Sequence, residues 1–234
     1  MAGFFYRALR QPNRMKRTPP PPLEIDWIAK PVSSARSGVD TLGDGRLYCW
    51  IEHEVIRNVT PAMLVWWFGH IDGDITVGGR SLKRYRVWHP LDHIAHRYLT
   101  RNADGSIGVG CLMHIEEMLG RQPEHLVDVL TVITRLDETG FAHRARRYRL
   151  PIVRMDYDFK AVEEGVLYRN SLTVGFEGRL GKLLNPLVHR AFNEAYAHAW
   201  IKHNIEEVGN FESFLPGLYT LEAGQAKKPS GAPE

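Results

Sequence analysis

Four segments rich in β-branched and aromatic side chains, residues 108–119, 126–136, 142–159 and 166–176, follow one another before a single extended stretch of helical spacing. Successive strands joined by short turns pair antiparallel, so this order predicts an α+β chain with an antiparallel sheet. The helical stretch is expected to start at Asn185 and Pro186, an N-cap followed by proline at the first helical position. It carries Leu187, Phe192, Ala195, Tyr196, Ala199, Trp200 and His203 through about Val208. A sheet curved around one long C-terminal helix leaves a cavity between them, the shape of a helix-grip fold.

A second, shorter helix is expected at Thr60 and Pro61, where the same start signal precedes Met63, Leu64, Trp66, Trp67 and Phe68, with Gly69 ending it. The run Pro19 to Pro22 removes amide donors in series and closes an N-terminal tail. These signals divide the chain into a basic, Pro-rich tail (1–22), one folded domain (23–222) and a C-terminal tail (223–234) without large apolar side chains.

Composition excludes several functions. The formal charge of +3 comes from the tail, where Arg7, Arg10, Arg14, Lys16 and Arg17 stand without an acid, so the rest of the chain carries −2. A charge confined to a short arm is not the basic face that nucleic acid requires, and none is expected as a partner. No apolar run reaches the length that spans a bilayer, so no membrane role is expected. Cys49 and Cys111 stand apart, without a CxxC pair or signal-peptide core, which suits a reducing, cytoplasmic setting. The Trp66–Trp67 pair suits the core or a subunit contact, and a homodimer is among the expectations.

Three clusters carry candidate chemistry. His203 and Glu207 stand four residues apart, on one face of the long helix; read alone, such a pair is more often a surface hydrogen bond. Tyr196, Ala199 and Trp200 turn that face inward, where an unpaired carboxylate is costly and a cation would compensate it. His89, His93 and His96 fall within eight residues; His93 is the preferred metal ligand and His89 the reserve, the bland alternative being rings satisfied by backbone carbonyls. In the strand around Met113, period-two alternation puts Met113, Ile115 and Glu117 on one face, which ranks Glu117 above Glu116 and Glu124 unless the two faces are reversed. Two histidines and two carboxylates suit one zinc ion per chain, and other divalent metals as well. A metal with an open position acidifies bound water, which makes hydrolysis the natural chemistry.

These motifs, in order, resemble one family. Thr60, Pro61 and Met63 with Trp66, Trp67 and Phe68, then Tyr85 with Trp88, His89, Pro90, Asp92 and His93, then His114 to Glu117, and finally His203 to Glu207 with Phe214, Pro216, Leu218 and Tyr219, resemble the 2,4-diacetylphloroglucinol (DAPG) hydrolase and phloretin hydrolase family. The resemblance spans most of residues 50–220. It implies a Bet v 1-like, START-like helix-grip fold and a zinc-dependent hydrolase that cleaves the carbon–carbon bond between a phenolic ring and an acyl group, releasing a carboxylic acid. It also implies His93, Glu117, His203 and Glu207 as metal ligands and Tyr85 as a substrate contact, with Tyr157 preferred over Tyr168 as the second tyrosine. His96 stands where the DAPG enzyme has asparagine, and an imidazole exchanges protons where an amide only hydrogen-bonds. The expected partner is a small aromatic ketone. The rival expectation is a non-catalytic START/Bet v 1-like binding protein using the same cavity.

Overall fold

The computed structural model describes residues 18–147 and 150–226. Its strands are β1 (Ala35–Thr41), β2 (Leu47–His53), β3 (Ile56–Arg57), β4 (Asp74–Val77), β5 (Arg80–Lys83), β6 (His93–Tyr98), β7 (Leu112–Met118), β8 (Leu126–Asp137), β9 (Gly140–Arg147), β10 (Leu150–Val162) and β11 (Gly165–Val174). Its α-helices are α1 (Pro61–His70), α2 (Arg84–Trp88), α3 (Gly178–Val188) and α4 (Glu194–Ala226). The main sheet runs β1-β2-β11-β10-β9-β8-β7-β6, with β3 on β11. Every neighbouring pair is antiparallel. The separate β4–β5 hairpin turns on Gly78 and Gly79, whose positive φ angles of 56° and 76° suit the two-residue turn that joins twisted strands.

The α+β helix-grip architecture is therefore present, with the sheet wrapped around α4. Alternation is clearest in β11, where Val166, Tyr168, Asn170, Leu172 and Val174 are buried and Leu167 and Arg169 are exposed. The inward residues meet α4 in two clusters. One joins Val208, Phe211, Leu215 and Leu218 of α4 to α1 and to Phe141, Tyr157 and Tyr168. The other joins Ala197, Trp200, Ile201 and Ile205 to Cys49, Ile51, Leu172 and Val174.

Several elements differ from expectation. Thr60 caps α1 as predicted, its Oγ1 accepting from the Met63 amide at 3.3 Å, but the helix passes through Gly69 to His70. Asn185 and Pro186 do not start the long helix; they lie inside α3. The Asn185 amide is committed elsewhere: Oδ1 accepts from Phe176 N, and Nδ2 donates to Asp44 O and Phe176 O, joining the β1–β2 turn to the end of β11. The cap of α4 is Asn193, whose Oδ1 accepts from Tyr196 N at 2.9 Å. The helix continues past Val208 to Ala226 because Phe211, Leu215 and Leu218 extend its buried stripe, and it thus enters the segment expected to be a tail. Residues 142–159 form two strands rather than one; Arg147 opposite Leu150 closes a hairpin that no Gly, Asn or Asp signals. β1 and β2, ahead of α1, were not anticipated. Residues 1–17 and 227–234, most of both expected tails, lie outside the described residues. The proline run is docked: Pro20 O accepts from Arg121, and Pro21 O from Arg86.

Candidate metal centre and cavity

Three elements converge beneath the sheet. The turn from α2 into β6 supplies His93, β7 supplies Glu117, and α4 supplies His203 and Glu207 one turn apart. His93 Nε2 lies 3.2 Å from Glu207 Oε2 and 3.7 Å from Glu117 Oε1. His203 Nε2 lies 3.7 Å from both Glu117 Oε2 and Glu207 Oε2. The structure thus brings together the four residues preferred as cation ligands, His93, Glu117, His203 and Glu207. Glu117 shares the cavity wall with Met113 and Ile115, as alternation predicts, so the reversed-face alternative does not hold. Glu116 faces Arg97 at 3.2 Å, and Glu124 lies in the 3-10 turn Pro123–His125.

Hydrogen bonds fix which nitrogens face the site. His93 Nδ1 lies 2.6 Å from the Tyr85 carbonyl, which only accepts, so Nδ1 carries the proton. Nε2 then presents a lone pair to two carboxylates, and this buried atom has no hydrogen-bond partner. His203 Nδ1 is likewise held by Asp92 Oδ2 at 3.0 Å, and Asp92 Oδ2 also accepts from Gly120 N at 2.8 Å. A ring anchored through one nitrogen and aimed through the other is the usual preparation of a metal-binding histidine.

The electrostatics agree. Burial raises Glu207 well above the ordinary carboxylate range; His203 opposes this, while Glu117 and Asp92 reinforce it. Glu117 is raised for the same first reason, against the pull of His203 and Tyr85. Burial, then His203 and His89, hold His93 well below the usual imidazole value. Burial alone would lower His203, but Asp92, Glu117 and Glu207 outweigh it and push it up to about 9. The cluster therefore needs positive charge at its centre. A divalent cation in the place of the His203 proton satisfies both carboxylates and the orphaned His93 lone pair, so the residues fit such an ion.

A second group, His89, Asp92 and His203, also has close-set ligand atoms. It suits a cation less well. His89 Nδ1 accepts from Asp92 N at 3.2 Å, which leaves its proton on Nε2, 3.4 Å from Glu206 Oε2. His203 has also turned Nε2 away, toward Glu117 and Glu207. The His89 ring instead stacks on His203 at 4.4 Å, with Trp27 5.1 Å away on its own account, and helps hold the His203 plane.

The centre opens on a cavity of about 600 Å³ lined by Tyr85, His96 and Tyr157 among others. Tyr85 donates its hydroxyl to Glu117 Oε1 and stacks on His93 at 3.8 Å. Tyr157 Oη meets only the Met155 sulfur, at 3.8 Å, among the described residues. His96 Nδ1 is buried without a partner. Tyr168, the alternative to Tyr157, does not line this cavity; it packs against Phe159 and His53. Sequence reasoning missed His143, which lines the cavity from β9 with Nδ1 at 2.9 Å from Thr131 Oγ1. Burial lowers His143 to about 3, and burial with His143 and His114 lowers His96 to about 3, so both rings are neutral. Alternation with the buried Phe141 and Ala145 was the signal that marked His143. Asp92 was visible beside His93, but only its contact with His203 reveals its use.

Residues 25–130 match the family model described as DAPG hydrolase PhiG domain. The resemblance drawn from the motifs is thereby shown over this segment, which holds Tyr85, His93, His96 and Glu117 and supports a hydrolase of that family. His203 and Glu207 lie beyond it and join the site through the fold. No curated protein sequence matches the chain. Solved structures similar to it include a START superfamily protein from Mycobacterium smegmatis, at 12% identity and TM-score 0.40, covering 69% of this chain and 97% of that one. The KanY protein is similar at 10% identity and TM-score 0.46, covering 77% and 97%. The SA2116 protein of unknown function from Staphylococcus aureus is similar at 10% identity and TM-score 0.41, covering 76% and 97%. Among the described residues, no helix is long and apolar enough to cross a membrane.

Proposed function

We propose that this chain is a zinc-dependent hydrolase that cleaves the carbon–carbon bond between a phenolic ring and an acyl group in acylphloroglucinol-type ketones. The observation that carries this reading is the unpartnered Nε2 of His93, aimed with His203 Nε2 at Glu117 and Glu207 on the cavity wall. His93, Glu117, His203 and Glu207 would hold the ion. When bound, such an ion supplies an acidified water and polarises a carbonyl.

The chain's own residues account for the rest. Burial raises Tyr157 well above the usual phenol value, so at neutral pH its hydroxyl stays protonated and donates to an oxygen of the substrate. Tyr85, raised by burial and by Glu117, donates to Glu117 and orients it. As the ring shifts to its keto form, the proton of a ring hydroxyl moves to the acyl-bearing ring carbon; water adds to the ketone, the ring–acyl bond breaks with its electron pair going to the ring as an enolate, and the enolate oxygen regains a proton, giving a phenol and a carboxylic acid. His96, a neutral imidazole on the cavity wall, hydrogen-bonds the ring hydroxyl and orients it. Apolar walls around these groups exclude water and strengthen each contact.

The test is metal content together with turnover of acylphloroglucinols, repeated with Glu207→Ala. Joint loss of metal and turnover is expected. Full activity in metal-free protein refutes the proposal, and a metal-free protein of undiminished stability that only binds phenols favours a carrier instead.

A further inference from the structure

The cavity extends well beyond what a ring with a two-carbon acyl group fills. Its volume of about 600 Å³ lies among pockets of roughly 300–1,000 Å³ that enclose drug-sized ligands. It also spans both hydrophobic clusters, which share Met155. Along α4, Trp200 belongs to one cluster and Val208 and Phe211 to the other, so His203 and Glu207 stand where the two clusters meet, and the cavity wall can be divided there into two sides, called lobes below. The lobes differ in chemistry. Tyr85, His96, His143 and Tyr157 gather beside Phe68 and Phe141, polar groups suited to the hydroxyls of a phenolic ring. The opposite lobe is walled by Val127, Val153, Leu172, Val174, Val188 and Phe192, all apolar.

A ketone carbonyl at the centre, with its phenolic ring among the polar groups, sends its acyl chain into the apolar lobe. We propose that this lobe is an acyl-chain subsite and that the enzyme prefers phenolic ketones with extended aliphatic acyl chains to acetyl compounds. This rests on the reaction proposed above. Val127, Val153 and Phe192 are only half-buried, so an acyl chain laid against them removes apolar surface from water on both sides. The gain per methylene corresponds to about fourfold in affinity or in kcat/KM, until the lobe is filled.

Two series with the metal-replete protein test this. The first measures kcat/KM for acetyl-, butanoyl- and hexanoylphloroglucinol; the second measures Kd for 4-ethyl-, 4-butyl- and 4-hexylresorcinol, which lack the ketone and report binding without turnover. Both are expected to improve about fourfold per methylene. Ala191→Phe and Val153→Phe, which narrow the lobe from a turn and from β10, should flatten both series; circular dichroism checks that each variant is folded. Turnover of the acetyl compound with no gain along either series overturns the subsite and leaves the reaction standing. Graded resorcinol binding without turnover of any ketone supports the subsite and removes the reaction.

Discussion

At the scale of single residues, the site depends on which nitrogen of each ring is occupied. Asp92 holds His203 through Nδ1 and is itself held by the Gly120 amide, so it orients a ring without facing the cation position. Asp92→Asn is expected to weaken metal affinity about 10–100-fold, read by competition with a chromophoric chelator, with the fold retained by circular dichroism. The two tyrosines should separate. Tyr157→Phe removes the donor proposed to meet the substrate and should lower kcat by roughly 10²–10³ with metal content unchanged. Tyr85→Phe frees Glu117 and should lower metal affinity as well; equal metal binding in both variants would deny Tyr85 its orienting part. His93 was legible because three histidines crowd one short segment; His143 showed only in its alternation with Phe141 and Ala145, and the use of Asp92 not at all, since a lone polar residue in a turn carries no mark of its partner.

At the scale of elements, α4 carries most of the fold's consequences. Its stripe of Ile201, Ile205, Val208, Phe211, Leu215 and Leu218 is buried along the helix, and its length places His203 and Glu207 beneath β6 and β7. Leu215→Ala removes a fully buried side chain and should cost about 2–5 kcal/mol in urea denaturation. Asn193→Ala should cost about 1 kcal/mol through loss of the cap, while Asn185→Ala should cost at least as much through the Asp44–Phe176 junction rather than through any helix end. The start of α4 was misread because Asn-Pro is a good local start signal and tertiary hydrogen bonds at Asn185 override it. The division between β9 and β10 was missed because residues 146–149 contain no Gly, Pro, Asn or Asp.

At the scale of the whole molecule, burial of neutral histidines makes stability depend on pH. His96 and His143 fall to about 3 in the folded chain, against about 6.5 when unfolded. Between those values the unfolded chain binds more protons, so stability is lost as pH falls from about 6.5 toward 3. At pH 5 each ring should cost about 2 kcal/mol relative to neutral pH, and His143→Gln should shrink the pH dependence of the urea midpoint. The sequence by itself determined an α+β chain, the alternation that puts Glu117 on the inner wall, and the i, i+4 spacing of His203 and Glu207, because these follow from backbone periodicity. Only the tertiary structure decided that residues 93, 117, 203 and 207 meet, that Asp92 and His89 brace His203, and that one cavity borders both hydrophobic clusters. Those facts depend on how a curved sheet closes over a helix, and no local pattern encodes the distance between segments that lie far apart in sequence.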